Sequence, residues 1–316
     1  MNILIPGQYP RSENLITATR EFDRQRQSAT DVLNAIQDDV IALKSLQWGL
    51  PYLTTGLFNW QDLVRPFVEL VKDARAESIK RFYETNSFWR LLEVPEKFVL
   101  KSIDHQAWFK KYFLADGAFQ KDDPIIINLP FPFLFREYSK NLTLDQISSL
   151  LESTFQMVRE CPNAVVCLIE PSFGWQPLND PDKQMAKLFT EKLRKSIPNT
   201  IFLCTFFFPV ESDIDFIYEL PVDGYGIDFY NNSISKMLKR FPANKTLLAG
   251  VLNTQSTLIE SSKNISQFID MLHAVIPLQQ ILFTPNGPAE LLPRNIMDKK
   301  VKNLLQEVIA CLPHPL

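Results

Sequence analysis

Short uninterrupted apolar runs alternate with longer amphipathic stretches along most of the chain. The run at 165–169, Val-Val-Cys-Leu-Ile, has no polar break, which is typical of a parallel strand covered on both faces. Pro171 has no backbone N–H to continue a ladder, so we expect the strand to end just before it. Glu170 is therefore predicted at the carboxyl end of a buried strand, where ligands bind in α/β barrels. A solvated strand end is the alternative for this residue.

Eight runs of this kind are predicted as strands, and helical periodicity follows each one. The runs cover residues 2–5, 52–56, 125–129, 165–170, 200–208, 224–229, 246–252 and 280–284. Helices are predicted over 15–46 and 57–71, among others, because apolar residues recur there at helical spacing. Eight βα units predict an α/β fold, a (β/α)8 TIM barrel that forms a single domain over residues 1–316. An open doubly wound sheet is the less favoured alternative, since no glycine-rich phosphate loop follows the first strand.

One segment interrupts the alternation after the second βα unit. Residues 77–124 are rich in aromatic side chains and give no clean period, so we interpret them as an aromatic-rich helical insertion. The aromatic residues either form the small core of an extra hairpin or belong to a lid over the site. The first interpretation is favoured, because a long insertion needs packing of its own.

Charge and composition argue against several kinds of partner. The net charge is −3 and the pI about 5.8, and no basic block is present, so neither nucleic acid nor a membrane surface is expected as a partner. No run of about 20 apolar residues could span a bilayer, and residues 1–6 lack the basic region of a signal peptide. We expect a cytoplasmic protein. The four cysteines and three histidines show no metal-ligand spacing.

Short motifs occur at the predicted strand ends along nearly the whole chain. They are Tyr9-Pro10-Arg11-Ser12-Glu13, Thr55-Gly56, Trp60-Gln61-Asp62-Leu63-Val64-Arg65-Pro66, Arg81-Phe82-Tyr83-Glu84-Thr85-Asn86, Leu129-Pro130-Phe131-Pro132, Ile169-Glu170-Pro171-Ser172, Leu220-Pro221-Val222-Asp223-Gly224, Ile227-Asp228, Gly250-Val251-Leu252-Asn253 and Leu292-Pro293-Arg294. Because these motifs occur in this order, the chain resembles the cobalamin-independent methionine synthase family in its single-barrel form. The family's catalytic barrel transfers a methyl group from a folate to homocysteine.

The resemblance implies a zinc ion that lowers the pKa of the homocysteine thiol. It also implies four ligands: a His-x-Cys pair after the fifth strand, a Glu after the sixth and a Cys after the eighth. Here Phe206 and Phe208 stand at the His-x-Cys positions, Asp228 at the Glu position and Asn286-Gly287 where the last Cys is expected. Phenyl rings offer no donor atom and one Asp would not hold zinc, so no metal site is predicted.

Two further positions depart from the catalytic barrels. Ile169 stands where those barrels commonly have Asp, and Leu57 where they tend to have Glu. The chain therefore looks more like the non-catalytic amino-terminal barrel of the two-barrel enzymes. Two hypotheses of different classes follow. The first is a barrel that binds a folate or related one-carbon carrier at the carboxyl-end rim as its small-molecule substrate, with methyltetrahydrofolate as the candidate methyl donor and without zinc. The second is a non-catalytic partner subunit that assists a separate zinc-bearing catalytic barrel.

Under the first hypothesis the resemblance assigns roles to particular residues. Glu170 and Asp228 are the candidate catalytic residues. The candidate substrate-binding residues are Arg11, Glu13, Trp60, Asp62, Asn86 and Asn253. Arg11 would hold an anionic tail through its guanidinium fork, and Trp60 would stack on a pterin ring. The alternatives are an ion pair of Arg11 with Glu13, core packing for Trp60 and a helix cap for Asp228.

Overall fold

The computed structural model describes residues 2–311. In these residues the strands are β1 Leu53–Thr54, β2 Ile79–Arg81, β3 Phe88–Arg90, β4 Leu92–Glu93, β5 Ile125–Pro130, β6 Ser139–Lys140, β7 Val165–Ile169, β8 Thr200–Cys204, β9 Gly224–Asp228, β10 Thr246–Leu252 and β11 Ile281–Pro285. The α-helices are α1 Glu13–Asp23, α2 Ala29–Leu46, α3 His105–Phe113, α4 Pro132–Glu137, α5 Leu144–Glu152, α6 Phe155–Arg159, α7 Ser172–Trp175, α8 Asp180–Ser196, α9 Ile214–Glu219, α10 Ile234–Lys239, α11 Ser262–His273 and α12 Arg294–Cys311. Short 3-10 helices cover Arg65–Leu70, Ala115–Gly117, Leu278–Gln280 and Ala289–Leu291.

The main sheet has seven strands in the order β1-β5-β7-β8-β9-β10-β11. Every neighbouring pair in it is parallel. All residues of β5, β7 and β9 are buried, as expected for strands that are covered on both faces. The prediction of an α/β fold with a parallel sheet is therefore confirmed.

The amino-terminal segment contacts both edge strands of this sheet, β11 and β1. Ile3 forms a parallel bridge with Phe283 of β11, and the Leu4 N–H donates to the Phe283 carbonyl at 3.0 Å. Farther along, the Tyr9 N–H donates to the carbonyl of Gly56, just after β1, at 3.1 Å. The predicted first strand is thus present as a single bridge, and a full eight-stranded closed barrel stays a prediction.

Two helix predictions are wrong. The pattern over 15–46 is divided between α1 and α2, because Ser28 starts a second helix with a capping box. The predicted helix over 57–71 is instead a series of turns that ends in the 3-10 helix Arg65–Leu70. Leu57 and Gln61 have φ of 51° and 67°, in the left-handed region that a right-handed helix cannot include.

The predicted insertion contains both strand and helix. β2 and β3 form an antiparallel hairpin, and α3 follows with Trp108, Phe109, Tyr112 and Phe113 buried. On the hairpin, Trp89 is buried while Phe88 and Ile79 are 59% and 64% exposed. The buried aromatic side chains of the insertion are continuous with the main hydrophobic core, and the bounds 77–124 stay a prediction.

None of the helices within residues 2–311 combines the length and the apolar character needed to cross a bilayer.

Candidate functional site

A small cavity opens where the carboxyl ends of β7, β8 and β11 meet the amino-terminal segment. Its volume is about 20 Å³, enough for one water molecule or one amino group. Ile169, the last residue of β7, and Phe206, in the loop after β8, line it. Trp89 of the hairpin and Glu290 after β11 also line this cavity.

Two larger grooves share a wall with this cavity. One of about 420 Å³ runs between the hairpin loop at Asn86 and the loop at Thr254. The other, of about 210 Å³, is lined by Arg11, Glu13 and Trp89. Glu290 lines the cavity and both grooves, so this residue lies where the three spaces meet.

Glu290 carries an unsatisfied polar atom at this junction. Its Oε2 is buried and has no hydrogen-bond partner among the described residues. Burial raises the pKa of the Glu290 carboxyl to about 8, and a hydrogen bond from its own backbone N–H and the charge of Arg11 oppose the rise. At neutral pH this carboxyl is mostly protonated until a ligand or ion stabilises its charge.

Gln8 is the second polar group without a partner. Its Oε1 is buried and unpaired within the described part of the chain, and the residue lines both the cavity and the 210 Å³ groove. The segment that carries it is fixed by Asn128 of β5, whose Oδ1 accepts the Gly7 N–H at 2.7 Å. Gln8 and Glu290 were both missed by sequence reasoning, because neither lies in a polar cluster that would single it out.

Glu170 lies where it was predicted, directly after β7, and it is completely buried. Its Oε2 accepts the Leu134 N–H at 2.8 Å, and its Oε1 accepts the Ser172 N–H at 2.9 Å together with the Ser172 hydroxyl. Burial raises the pKa of Glu170 to about 7, and the hydrogen bonds from Ser172 and Leu134 oppose the rise. The carboxylate thus joins the first turns of α4 and α7. It lines none of the cavities described above, and its catalytic role stays a prediction.

Asp228, at the end of β9, takes part in a second buried network. Its Oδ1 accepts the Tyr230 N–H at 2.8 Å and Asn286 Nδ2 at 3.0 Å, while its Oδ2 accepts Asn231 Nδ2 at 2.6 Å. Burial raises the pKa of Asp228 and these hydrogen bonds oppose the rise. Asp228 therefore closes the turn after its own strand and does not cap α10, where Ser233 is the cap residue.

Asn286 extends this network to the end of β10. Its Oδ1 accepts both the backbone N–H and the hydroxyl of Thr254, at 2.8 and 3.1 Å. Gly250 allows the close approach, because a Cβ there would lie 2.7 Å from the Ile227 carbonyl oxygen and 2.9 Å from Asn286 Cα. Asp228 and Asn286 thus connect the ends of β9, β10 and β11. Both residues stand at positions where the resemblance implied zinc ligands.

The donor set at these positions does not fit zinc. Phe206 and Phe208 offer no donor atom, Asn286 is neutral and Asp228 already accepts three hydrogen bonds. Within residues 2–311 no three His, Cys, Asp or Glu side chains lie close enough together to share a metal ion.

Arg11 and Glu13 face the 210 Å³ groove. Arg11 is half-buried, and in the described part of the chain it forms no ion pair, so the alternative pairing with Glu13 is wrong. Burial lowers the pKa of the Arg11 guanidinium. A guanidinium nevertheless stays protonated in proteins, so a positive charge lines the groove beside Glu290.

The other candidate residues lie in different surroundings. Asn86 is exposed and lines the 420 Å³ groove. Asn253 accepts the Gln255 N–H at 2.8 Å in the loop that also carries Thr254. Trp60 is fully buried and donates from Nε1 to the Tyr112 carbonyl at 2.6 Å. This agrees with the alternative of core packing for Trp60. Asp62 accepts the N–H of Arg65, the first residue of the 3-10 helix, at 2.7 Å.

Trp60, Asp62 and Asn253 line none of the cavities described here. Their roles in binding stay predictions.

The fold and the site define a class: an α/β protein with a parallel sheet and connected ligand-sized grooves at the carboxyl ends of its strands. Residues 67–276 match the sequence profile of the family described as cobalamin-independent synthase, N-terminal domain. Because the match covers more than half of the chain, the protein belongs to this family.

Relatives and solved structures are consistent with this assignment. The chain is 26% identical over 230 residues to a 5-methyltetrahydropteroyltriglutamate–homocysteine methyltransferase from Bacillus cereus, which covers 68% of this chain and 29% of the relative. It is 27% identical over 199 residues to the protein of the same name from Lactococcus lactis, which covers 60% and 26%. The chain thus spans less than a third of the length of these relatives.

Among solved structures, a B12-independent methionine synthase from Shewanella sp. W3-18-1 in complex with selenomethionine superposes with a TM-score of 0.73 at 12% identity. It covers 98% of this chain and 99% of that one. A methyltransferase from Methanosarcina mazei gives a TM-score of 0.59 at 13% identity, covering 96% and 94%. At these identities the likeness shows a shared fold.

Proposed function

We propose that the protein is a methionine-synthase-like barrel that binds a folate or related one-carbon carrier at the carboxyl-end rim of its sheet, without a zinc site. The observation that carries this proposal is the set of spaces around Glu290, where an apolar cavity walled by Phe82, Trp89 and Phe206 opens beside two grooves that are lined largely by polar side chains. Small-molecule sites are concave and mostly apolar, with a few convergent polar groups. The carboxyl ends of parallel strands are where such sites form in α/β barrels.

Closure of the sheet into an eight-stranded barrel is part of the same proposal. The bridge between Ile3 and Phe283 and the Tyr9–Gly56 hydrogen bond connect the amino-terminal segment to both edge strands. In a closed barrel this segment is the eighth strand, and it brings Gln8 and Arg11 to the rim.

Arg11 is the residue we assign to the anionic part of the carrier. Its guanidinium has no ion-pair partner in residues 2–311 and lines the 210 Å³ groove. A larger groove of about 320 Å³ is also lined by Arg11, together with Arg20 and Asp23 of α1 and Arg24, which directly follows that helix. A carboxylate tail that leaves the rim along α1 would pass Arg11, Arg20 and Arg24, and Arg binds carboxylates through a planar fork. Arg20 and Arg24 share an ion pair with Glu21, so Arg11 is the arginine of this groove that we assign to the tail.

The chemistry at the rim differs from zinc-assisted methyl transfer. With Phe206, Phe208 and Asn286 at the implied ligand positions, these residues supply neither a thiolate nor an imidazole. We infer that the chain does not activate homocysteine through a metal. We assign Glu170 and Asp228 a supporting role, holding the loops after β7 and β9, since every carboxylate oxygen is already hydrogen-bonded.

A second candidate function is a partner subunit that assists a separate catalytic barrel. The observation in its favour is that the matching family profile is that of an amino-terminal domain, whose curated relatives are more than three times as long as the matched region. Phe88 and Ile79, exposed on one face of the hairpin beside the rim, are the surface we assign to such a contact.

Thermal unfolding with a ligand panel tests the first function against the second. The panel contains 5-methyltetrahydrofolate with one and with three glutamates, homocysteine and methionine, each with and without zinc. A ligand at about 100 times its Kd adds about 2.7 kcal/mol to the free energy of unfolding, which should raise the Tm by several degrees. We expect a shift with the folates that does not depend on zinc. No shift with either folate would contradict the binding proposal and favour the partner role.

A further inference from the structure

We propose that Gln8 Oε1 and Glu290 Oε2 together bind a donor-rich edge of the ligand, of the kind that a 2-aminopyrimidine ring presents. The inference rests on the proposed one-carbon carrier site and names the part of the ligand that this site recognises. It gives Glu290 the role of a specificity-determining residue.

The two atoms share three properties. Both are buried, both lack a hydrogen-bond partner within residues 2–311, and both belong to residues that line the same cavity and the same 210 Å³ groove. A buried polar atom without a partner costs about 1–3 kcal/mol. Gln8 Oε1 is an acceptor, and Glu290 Oε2 is one once its carboxyl is ionised, so a ligand that removes this cost from both atoms must bring N–H or O–H donors.

The sizes of the spaces determine how such a ligand would fit. The cavity of about 20 Å³ holds a single amino group but not a ring. The 210 Å³ groove that opens beside it is large enough for a bicyclic ring, and Trp89 lines both spaces. A flat ring in this groove can therefore lie against the Trp89 indole and direct an exocyclic amino group past Glu290 into the cavity.

The charge of an ionised Glu290 also favours a ligand edge that carries N–H donors. A carboxylate binds two adjacent N–H groups with both oxygens, as it does with a guanidinium. Burial raises the pKa of Glu290 to about 8, so the empty site holds a largely neutral acid. Donors from the ligand would stabilise the ionised form, and the positive charge of Arg11 assists them. Binding should then release a proton.

The test compares two ligands that differ in one group. 2-Amino-4-oxopteridine carries the amino group, whereas 2,4-dioxopteridine has an oxygen in its place. Calorimetric titration of the full chain at pH 7 should give tighter binding of the amino compound by about 10-fold or more, as expected for a hydrogen bond to a charged group. Glu290→Gln should weaken binding of the amino compound by a similar factor and leave the dioxo compound nearly unchanged.

Controls keep the outcomes distinct. Glu96→Gln removes a carboxylate from an exposed residue that lines none of the cavities described above, and it should bind both ligands as the wild type does. Because Glu290→Gln keeps the side-chain shape, its Tm is measured first. The comparison of the two ligands on the wild type does not depend on that variant.

If the wild type binds 5-methyltetrahydrofolate but binds the two pteridines equally well, this inference is wrong while the proposed function stands. If it binds neither the folate nor the amino pteridine, both are overturned.

Discussion

Asp228 and Asn286 are joined by a hydrogen bond of 3.0 Å between Oδ1 of the carboxylate and Nδ2 of the amide. Asp228 is the last residue of β9 and Asn286 directly follows β11, and β10 lies between these strands in the sheet. Asn286 also holds Thr254 at the end of β10. The bond therefore connects three strand ends through side chains that are nearly inaccessible to water.

Asn286→Asp tests whether this network stabilises the rim. The variant puts a second carboxylate about 3 Å from Asp228, and we expect the free energy of unfolding at pH 7.5 to fall by about 3 kcal/mol. Two close carboxylates share a proton at a raised pKa. The folded state then binds more protons than the unfolded chain, so stability should return as the pH falls to 5.

The pair of substitutions Asp228→Asn with Asn286→Asp is the matched control, because it restores a single charge. It should recover at least half of the loss at pH 7.5 in urea denaturation. An Asn286→Asp variant as stable as the wild type at that pH would show that the two side chains do not interact as described.

Glu170→Gln tests the supporting role of the other buried carboxylate. The side-chain amide of Gln would direct donors at the Leu134 N–H or at Ser172, where the structure needs acceptors. We expect a loss of about 1–3 kcal/mol in the free energy of unfolding. Glu219→Gln, at an exposed position, should have little effect. Unchanged stability in Glu170→Gln would return Glu170 to the catalytic role that the sequence predicted.

Glu290 should make stability depend on pH in a defined window. Its pKa is about 8 in the folded protein and near 4.5 when exposed, so the folded state keeps a proton that the unfolded chain loses. Stability should therefore fall as the pH rises from about 4.5 to about 8, with a slope of at most about 1.4 kcal/mol per pH unit for one proton. Glu170 contributes in the same direction only up to about pH 7.

The interval from pH 7 to 8.5 thus reports mainly on Glu290. The charged residues that share a space with it are Arg11, Glu13 and Arg294 on one side and Glu84 on the other. Glu290→Gln should flatten the decline of the Tm across this interval. An equally steep decline in the variant would mean that another group titrates there.

Arg11→Ala tests the direction in which the carrier's tail leaves the site. Loss of a bidentate charge-assisted contact costs about 1.5–3 kcal/mol, so the affinity for 5-methyltetrahydrofolate triglutamate should fall about 10-fold or more. The affinity for the isolated pteridine ring should hardly change. Arg26→Ala removes an exposed arginine that lines none of the grooves described here and serves as the control. An equal loss for both ligands would place Arg11 at the ring and not at the tail.

Several elements could be predicted from sequence because one signal dominated each of them. The apolar run of β7 and the bounds of β10 follow from composition and periodicity alone. The segment 57–71 also has a helical pattern, but the hydrogen bonds of Asp62 and the left-handed backbone at Leu57 and Gln61 prevent a regular helix. A pattern of apolar residues does not reveal such local competition.

The candidate site was less predictable, because it depends on contacts between distant segments. The partner of Asp228 lies 58 residues away, and the two meet only through the order of the strands. Glu290 has no motif around it, and its significance comes from an oxygen that the fold leaves without a partner. Glu170 and Asp228, which the sequence did single out, are residues whose oxygens the fold has already used.

The most direct measurement is a calorimetric titration of the full chain with 5-methyltetrahydrofolate triglutamate at pH 7, in two buffers with different ionisation enthalpies. We predict saturable one-to-one binding without added zinc, with release of part of a proton as Glu290 ionises. Absence of saturable binding at millimolar ligand, or binding that appears only when zinc is added, would contradict a zinc-independent carrier site at the rim.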